Sequence, residues 1–79
     1  MHHVYILKSI KFPEKIYVGY TNNLKHRLSV HNDGKSMYTS KYKPWELHSY
    51  ITFKDKDKAI AFEKYLKGGS GKALVKKHF

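Results

Sequence analysis

Glu63 is the acidic side chain whose position most needs a chemical explanation. It lies in the segment Ala59-Ile60-Ala61-Phe62-Glu63-Lys64-Tyr65-Leu66, whose apolar spacing is helical. At about 100° per residue it falls among Ala59, Ile60, Phe62 and Leu66, on the face expected to pack inward. A carboxylate there calls for a partner, either a cation from the protein or a metal ion. The chain has six acids against sixteen Lys and Arg, so an inward acid is a scarce group put to a particular use. Arg27 and His31 stand four residues apart, on one face of another helical segment. Arginine offers a fork that matches phosphate oxygens, and histidine can relay a proton. Tyr5 and Tyr17 sit in two β-like runs and share a face if those runs pair in register. A phenol titrates near about 10, so accepting a proton at neutral pH requires help from a nearby metal or guanidinium.

The elements that must position these groups can be read in order. His2 to Ser9 alternates but is apolar on both faces, with Val4 and Ile6 on one and Tyr5 and Leu7 on the other. That pattern predicts a central strand covered on both sides. Lys11 to Lys15 reads as a turn containing Pro13, and Ile16 to Tyr20 as a second strand in antiparallel pairing with the first. Gly19 in that strand marks a bulge or a close approach of another group to the backbone. Thr21, Asn22 and Asn23 offer caps for a helix from Leu24 to Asn32, which Asp33-Gly34 ends. Residues 35–44 have no clear period and read as a loop. Trp45 to Phe53 reads as the third strand, with Trp45, Leu47, Ile51 and Phe53 on one face. Asp55 or Asp57 caps a helix over about residues 57–67. Gly68-Gly69-Ser70-Gly71 breaks it, and Ser70 caps a last short helix running toward Phe79. The expected class is α+β, a three-stranded antiparallel sheet flanked by helices in the order β-β-α-β-α-α.

Seventy-nine residues allow one domain with a modest core, so residues 1–79 are read as a single unit. The absence of cysteine excludes the small disulfide-stapled class and a Cys-ligated zinc. The apolar run at the N-terminus is too short for a signal peptide, and nothing approaches the roughly 20 apolar residues of a membrane span. A soluble cytoplasmic protein is expected, with no membrane partner. The formal net charge of +10 is spread along the chain and favours a polyanionic partner, nucleic acid first. Lys35, Lys41, Tyr42 and Lys43, in the loop after the first helix, interleave cations that hold phosphates with an aromatic face that can stack on a base. The remaining histidines show no metal-ligand spacing, and the glycine cluster at residues 68–71 lacks the spacing of a phosphate loop.

Taken together, these residues resemble the GIY-YIG nuclease superfamily, in particular its small single-domain bacterial members and the N-terminal nuclease domain of the DNA-repair excinuclease. His3-Val4-Tyr5 is similar to the first family motif, with His where Gly is common, and Tyr17-Val18-Gly19 is similar to the second. Arg27 with His31 matches the helix motif, and Glu63 the glutamate of the later helix. The resemblance implies the sheet and helices just described, and hydrolysis of DNA phosphodiesters. It implies Glu63 as ligand of one divalent ion, Mg²⁺ or Mn²⁺. It further implies Tyr17 as general base or positioner of the nucleophile, Tyr5 as positioner of water or phosphate, Arg27 as stabiliser of phosphate charge, and His31 as an aid to proton transfer. Gly19 and Tyr20 join the loop residues as nucleic-acid contacts. Tyr20 stands where repair-type relatives carry Lys, and the C-terminal Asn of some relatives has no clear counterpart.

Three readings follow. The first is a small metal-dependent endonuclease acting on DNA, branched or single-stranded forms included, with little sequence preference. The second is a catalytically inactive nucleic-acid-binding module of the same fold. The third makes Glu63 the buried salt-bridge partner of Arg27 in a structural protein.

Overall fold

The computed structural model describes residues 1–78, apart from the side chains of Ser70, Lys72 and His78. Phe79, the expected end of the last helix, lies outside the described residues. The elements are β1 (His2–Ser9), β2 (Ile16–Thr21), α1 (Leu24–Asn32), α2 (Met37–Ser40), β3 (Trp45–Phe53), α3 (Lys56–Lys67) and α4 (Gly69–His78). The sheet has three antiparallel strands in the order β2-β1-β3. The expected α+β class and element order therefore hold, with one short helix added in the segment read as a loop.

β1 is central because it is the strand with two apolar faces. Val4, Ile6, Tyr5 and Leu7 are all at most 3% exposed. Val4 and Ile6 pack with Val18, Ala59, Leu66 and Val75 under α3 and α4. Tyr5 and Leu7 pack with Trp45 on the opposite face, against Leu24 and Leu28 of α1. The two cores share one strand, so a side chain on β1 is committed to one helix layer or the other by its parity alone.

The hairpin connection closes with the Lys15 N–H donating to the Phe12 carbonyl at 2.8 Å. This sets Tyr5 opposite Gly19 and Leu7 opposite Tyr17, which puts both tyrosines on the α1 face. α1 is capped by the Asn23 side chain, which accepts from the His26 N–H at 3.1 Å, and Gly34 follows it with φ +76°. α3 is capped by Asp55, which accepts from the Asp57 N–H at 2.8 Å, so Asp57 lies inside the helix.

β3 corrects the expected alternation. Its register with β1 runs Val4↔Ile51, Tyr5↔Tyr50 and Ile6↔Ser49, then jumps to Leu7↔Leu47, leaving His48 as an extra residue. The bulge reverses the faces. Ile51 and Phe53 lie on the Val4 side, whereas Leu47 and Trp45 lie on the Tyr5 side. The reason is that the two ends of β3 serve different cores. Phe53 packs on Phe62 of α3, with ring centroids 5.6 Å apart. Trp45 is fastened to α1 and α2. Its N–H donates to the Asn32 side-chain oxygen at 2.6 Å, the Asn32 amide donates to its carbonyl at 3.1 Å, and its indole N–H donates to the Thr39 carbonyl at 2.7 Å.

A second correction concerns the C-terminal helix. α4 begins at Gly69, so Ser70 is within the helix and is not its cap. A Cβ on Gly71 would collide with the Tyr65 carbonyl, so glycine there lets α4 turn back closely on the end of α3.

Candidate active site

α1 is a short helix with few apolar side chains, and its one fully buried residue is His31. A buried imidazole needs partners on both ring nitrogens. His31 Nε2 lies 2.9 Å from the Tyr5 hydroxyl and Nδ1 lies 2.8 Å from the Thr39 hydroxyl. Arg27, one turn earlier, donates from Nε to the Tyr5 hydroxyl at 3.3 Å. Thr39 in turn donates to the Ser36 carbonyl at 3.5 Å.

The directions of these bonds follow from their ends. A guanidinium only donates and a carbonyl only accepts. With the Thr39 proton directed at Ser36, Thr39 accepts from His31 Nδ1–H. A neutral imidazole then presents Nε2 as an acceptor, and Tyr5 donates to it. The chain reads Arg27 to Tyr5 to His31 to Thr39 to Ser36, and it links α1, β1 and α2. Thr39 is therefore why the segment after α1 is not a loose loop: a turn of helix at Met37–Ser40 is what presents its hydroxyl to His31.

Burial sets the charge state of this chain. Desolvation and the nearby Arg27 cation push the His31 pKa down to about 4, so the ring is neutral at physiological pH. Tyr5 is pushed above its usual range, chiefly by burial. The hydrogen bond from Arg27 works the other way and is outweighed. The expectation that a guanidinium would free the phenol's proton is met in direction but not in outcome at Tyr5. Arg27 is itself held more firmly protonated, first by its hydrogen bond to Tyr5.

Tyr17 completes the cluster. Its ring centroid is 4.9 Å from that of His31, 6.3 Å from Tyr5 and 6.0 Å from Tyr38. It is half-buried, whereas Tyr5 is sealed at 2% exposure. Gly19 is the floor of the arrangement. A Cβ there would collide with Oη and Cζ of Tyr5 and lie 3.0 Å from Tyr17 Cε2, so the close approach requires glycine.

Glu63 departs from its expected setting. α3 buries Ala59 and Leu66, while the Glu63 side chain remains 20% exposed at the border of that stripe. It is partnered by Lys67, with Nζ 3.2 Å from Oε2. It is neither fully interior nor paired with Arg27, and among the described residues no carboxylate lies within ion-pair distance of Arg27. The third reading, a buried Arg27–Glu63 salt bridge, is thereby overturned. The negative charge of Glu63 still reaches the cluster and contributes to raising Tyr5. Among the described residues no three acidic, His or Cys side chains converge as a metal cage. A single carboxylate at the edge of the buried stripe fits an ion that keeps most of its waters, such as Mg²⁺, and does not fit a structural zinc.

The residues expected to touch nucleic acid divide. Gly19 lies in the cluster. Lys35, Lys41 and Lys43 are exposed around α2 on the same side. Tyr42 is half-buried against the Tyr5 core, with its ring edge-on to Phe12 at 5.6 Å and Lys15 Nζ 5.2 Å from its centroid. Tyr20 lies on the other face of the sheet, opposite Val4, and its hydroxyl is 2.7 Å from His2 Nδ1. An open groove of about 740 Å³ passes Tyr17, Tyr38 and Lys67 and continues to Lys8, Lys15 and Lys76. Sequence reading missed Thr39 and Lys67. The first could have been sought from the need of a buried His31 for a second partner, and the second from the four-residue spacing of Glu63 and Lys67.

A three-stranded sheet with two tyrosines, an arginine and a histidine gathered on one face, and a glutamate on a helix behind it, defines a class. Residues 1–77 match the GIY-YIG catalytic domain, and the chain belongs to that family. It is similar to a UPF0213 protein of Bacillus licheniformis, 40% identical over 67 residues, covering 84% of this chain and 67% of the relative. A UPF0213 protein of Oceanobacillus iheyensis is also 40% identical over 67 residues, covering 84% of this chain and 76% of the relative. One from Clostridium perfringens is 40% identical over 68 residues, covering 85% and 71%. Among the described residues no helix is long and apolar enough to cross a membrane.

Proposed function

We propose that residues 1–79 form one nuclease domain, a divalent-metal-dependent endonuclease that hydrolyses DNA phosphodiester bonds with little sequence preference and acts in the cytoplasm. The observation that carries this reading is the hydrogen-bonded chain from Arg27 through Tyr5 to His31. A protonated guanidinium is held at the mouth of the cluster by its Nε–H bond to Tyr5, with further N–H groups to offer to phosphate oxygens.

In this reading Arg27 neutralises charge that builds on the phosphate as water attacks phosphorus and the P–O bond to the leaving oxygen breaks. Tyr17, the more accessible phenol, orients the attacking water. Tyr5 receives the proton that water gives up, and passes its own proton to the neutral Nε2 of His31, which is already its acceptor. Thr39 keeps His31 in the tautomer that leaves Nε2 free for this. Glu63 would hold Mg²⁺ or Mn²⁺, which when bound supplies a Lewis acid for a phosphate oxygen. Lys35, Lys41 and Lys43, with the half-buried Tyr42, line the approach of the strand over the floor that Gly19 provides, and the +10 charge draws it in. Tyr20, on the far face, would meet only a strand that wraps the edge of β2.

The upward shift of Tyr5 favours a second reading, in which the same surface binds nucleic acid without cutting it. The two separate in one experiment. Purified protein is incubated with supercoiled, linear and branched DNA in EDTA, Mg²⁺ and Mn²⁺, beside Glu63→Ala and Tyr17→Phe. Metal-dependent nicking lost in both variants is expected. Salt-sensitive binding with no product in any metal would leave the inactive module standing instead.

A further inference from the structure

Glu63 and Lys67 form the one ion pair found among the described residues, and its setting is unusual for a helix-surface pair. The carboxylate is largely withdrawn from solvent, at 20% side-chain exposure against 49% for the lysine. The same ammonium lies 5.7 Å from the centroid of the Tyr17 ring. Lys67 thus reaches from α3 to the aromatic cluster on the other side of the sheet, and it lies along the groove that Tyr17 and Tyr38 line. Its head is paired with the acid and faces the aromatic ring of the phenol assigned to the reaction.

We propose that Lys67 is a built-in counter-ion of Glu63, which holds the carboxylate in the free protein and is displaced when a divalent ion binds. The proposal rests on the reading that Glu63 is the ion's ligand. Two cations on one withdrawn carboxylate repel each other, so as long as Lys67 stays, a divalent ion binds weakly. Lys67 has a long flexible stem, so its head can leave Glu63 without the helix moving. Once released, the ammonium has a phosphate of the incoming strand as its natural new partner, beside Tyr17. Ion binding and strand binding then help each other, and the coupling is reciprocal. A plain helix pair between residues four apart would show no such competition, because it stabilises the helix by a small amount and nothing more.

The competition can be read without any cleavage. Mn²⁺ is titrated into the protein in the absence of nucleic acid, and binding is followed by loss of the free-ion electron paramagnetic resonance signal. Wild type is compared with Lys67→Met, Lys67→Arg, Lys58→Met and Glu63→Gln, each first checked for folding by circular dichroism. Removing one positive charge a few ångströms from a divalent ion is expected to tighten binding by about tenfold. Lys67→Arg should keep the weak affinity. Lys58→Met makes the same change in net charge at an exposed position of α3, and should shift the affinity by less than about twofold. An affinity for Lys67→Met within about twofold of wild type, or matched by Lys58→Met, would overturn the proposal and leave Glu63 as ligand untouched. Binding that is equally strong in Glu63→Gln would instead remove Glu63 as the ligand, and with it the competition.

Discussion

The Tyr5 hydroxyl lies 2.9 Å from Nε2 of His31, and both residues are almost wholly shielded from solvent, at 2% and 0% exposure. This bond crosses from the central strand to α1, and it is the middle link between an arginine at the surface and a threonine in the core. Its two members are charge-neutral at physiological pH because burial disfavours both the phenolate and the imidazolium. The site is therefore organised by hydrogen bonding, with one charged group, Arg27, at its open end.

Tyr5→Phe tests that link. The substitution keeps the ring and removes the hydroxyl, which leaves Nε2 of His31 buried without a donor. A loss of about 1–3 kcal/mol is expected, the usual cost of an unsatisfied buried acceptor. Urea unfolding of the two proteins measures it. A loss below about 0.5 kcal/mol would mean that water or another group replaces the phenol at no cost.

Gly19→Ala should disturb the same point from below. The added methyl meets the Tyr5 phenol and forces a shift, for which overpacking of about 1–3 kcal/mol is the expected scale. Since the hydroxyl is one of the two atoms it strikes, the double variant with Tyr5→Phe should lose less than the two single losses added together. Additive losses in a double-mutant cycle would place the strain elsewhere.

Stability should depend on pH through His31. In the folded protein its pKa is lowered from 6.5 to about 4, so between those values the unfolded chain binds a proton that the folded chain does not. The contribution is complete above about 6.5, declines as pH falls, and stops declining below about 4. The gap corresponds to at most about 3 kcal/mol. Denaturant midpoints across this range for wild type and His31→Gln should show a steeper acid loss in the wild type. Parallel pH profiles would show that His31 is protonated as easily folded as unfolded.

Arg27 and Glu63 should be thermodynamically quiet, because they are not each other's partner. Arg27→Ala removes one hydrogen bond, a loss of about 1–1.5 kcal/mol, where breaking a buried ion pair would cost about 3–5 kcal/mol. Glu63→Ala removes a helix pair with Lys67, worth up to about 0.5 kcal/mol. Cleavage should fall by about 10² or more for Arg27→Ala, the scale of losing one group aimed at developing charge. Thermal or urea unfolding alongside a plasmid-nicking assay separates the two effects. A stability loss above about 3 kcal/mol for Arg27→Ala would restore a structural role.

Much of this architecture is local and is legible in the sequence. The two-faced alternation of His2 to Ser9 dictates a central strand. The short turn after it dictates a hairpin, although it took the observed register, Tyr5 opposite Gly19 and Leu7 opposite Tyr17, to put the two tyrosines on one side. The run Thr21 to Asn23, Gly34, and the pair Asp55 and Asp57 mark helix ends by chemistry that acts within a few residues, and the structure chooses Asn23 and Asp55 as the caps. Arg27 and His31 share a helix face because of their spacing alone. Tertiary structure decided the rest. The extra residue at His48 exists because the two ends of β3 must face different cores, and no stretch of β3 by itself carries that information. The burial of His31 depends on Tyr5, 26 residues before it, and on a helical turn at Thr39 that apolar periodicity does not signal. The depth of Glu63 also escaped the helical pattern. On a helix the border between buried and exposed is narrower than one side chain, and the ion pair with Lys67 fixes which side of it the carboxylate takes.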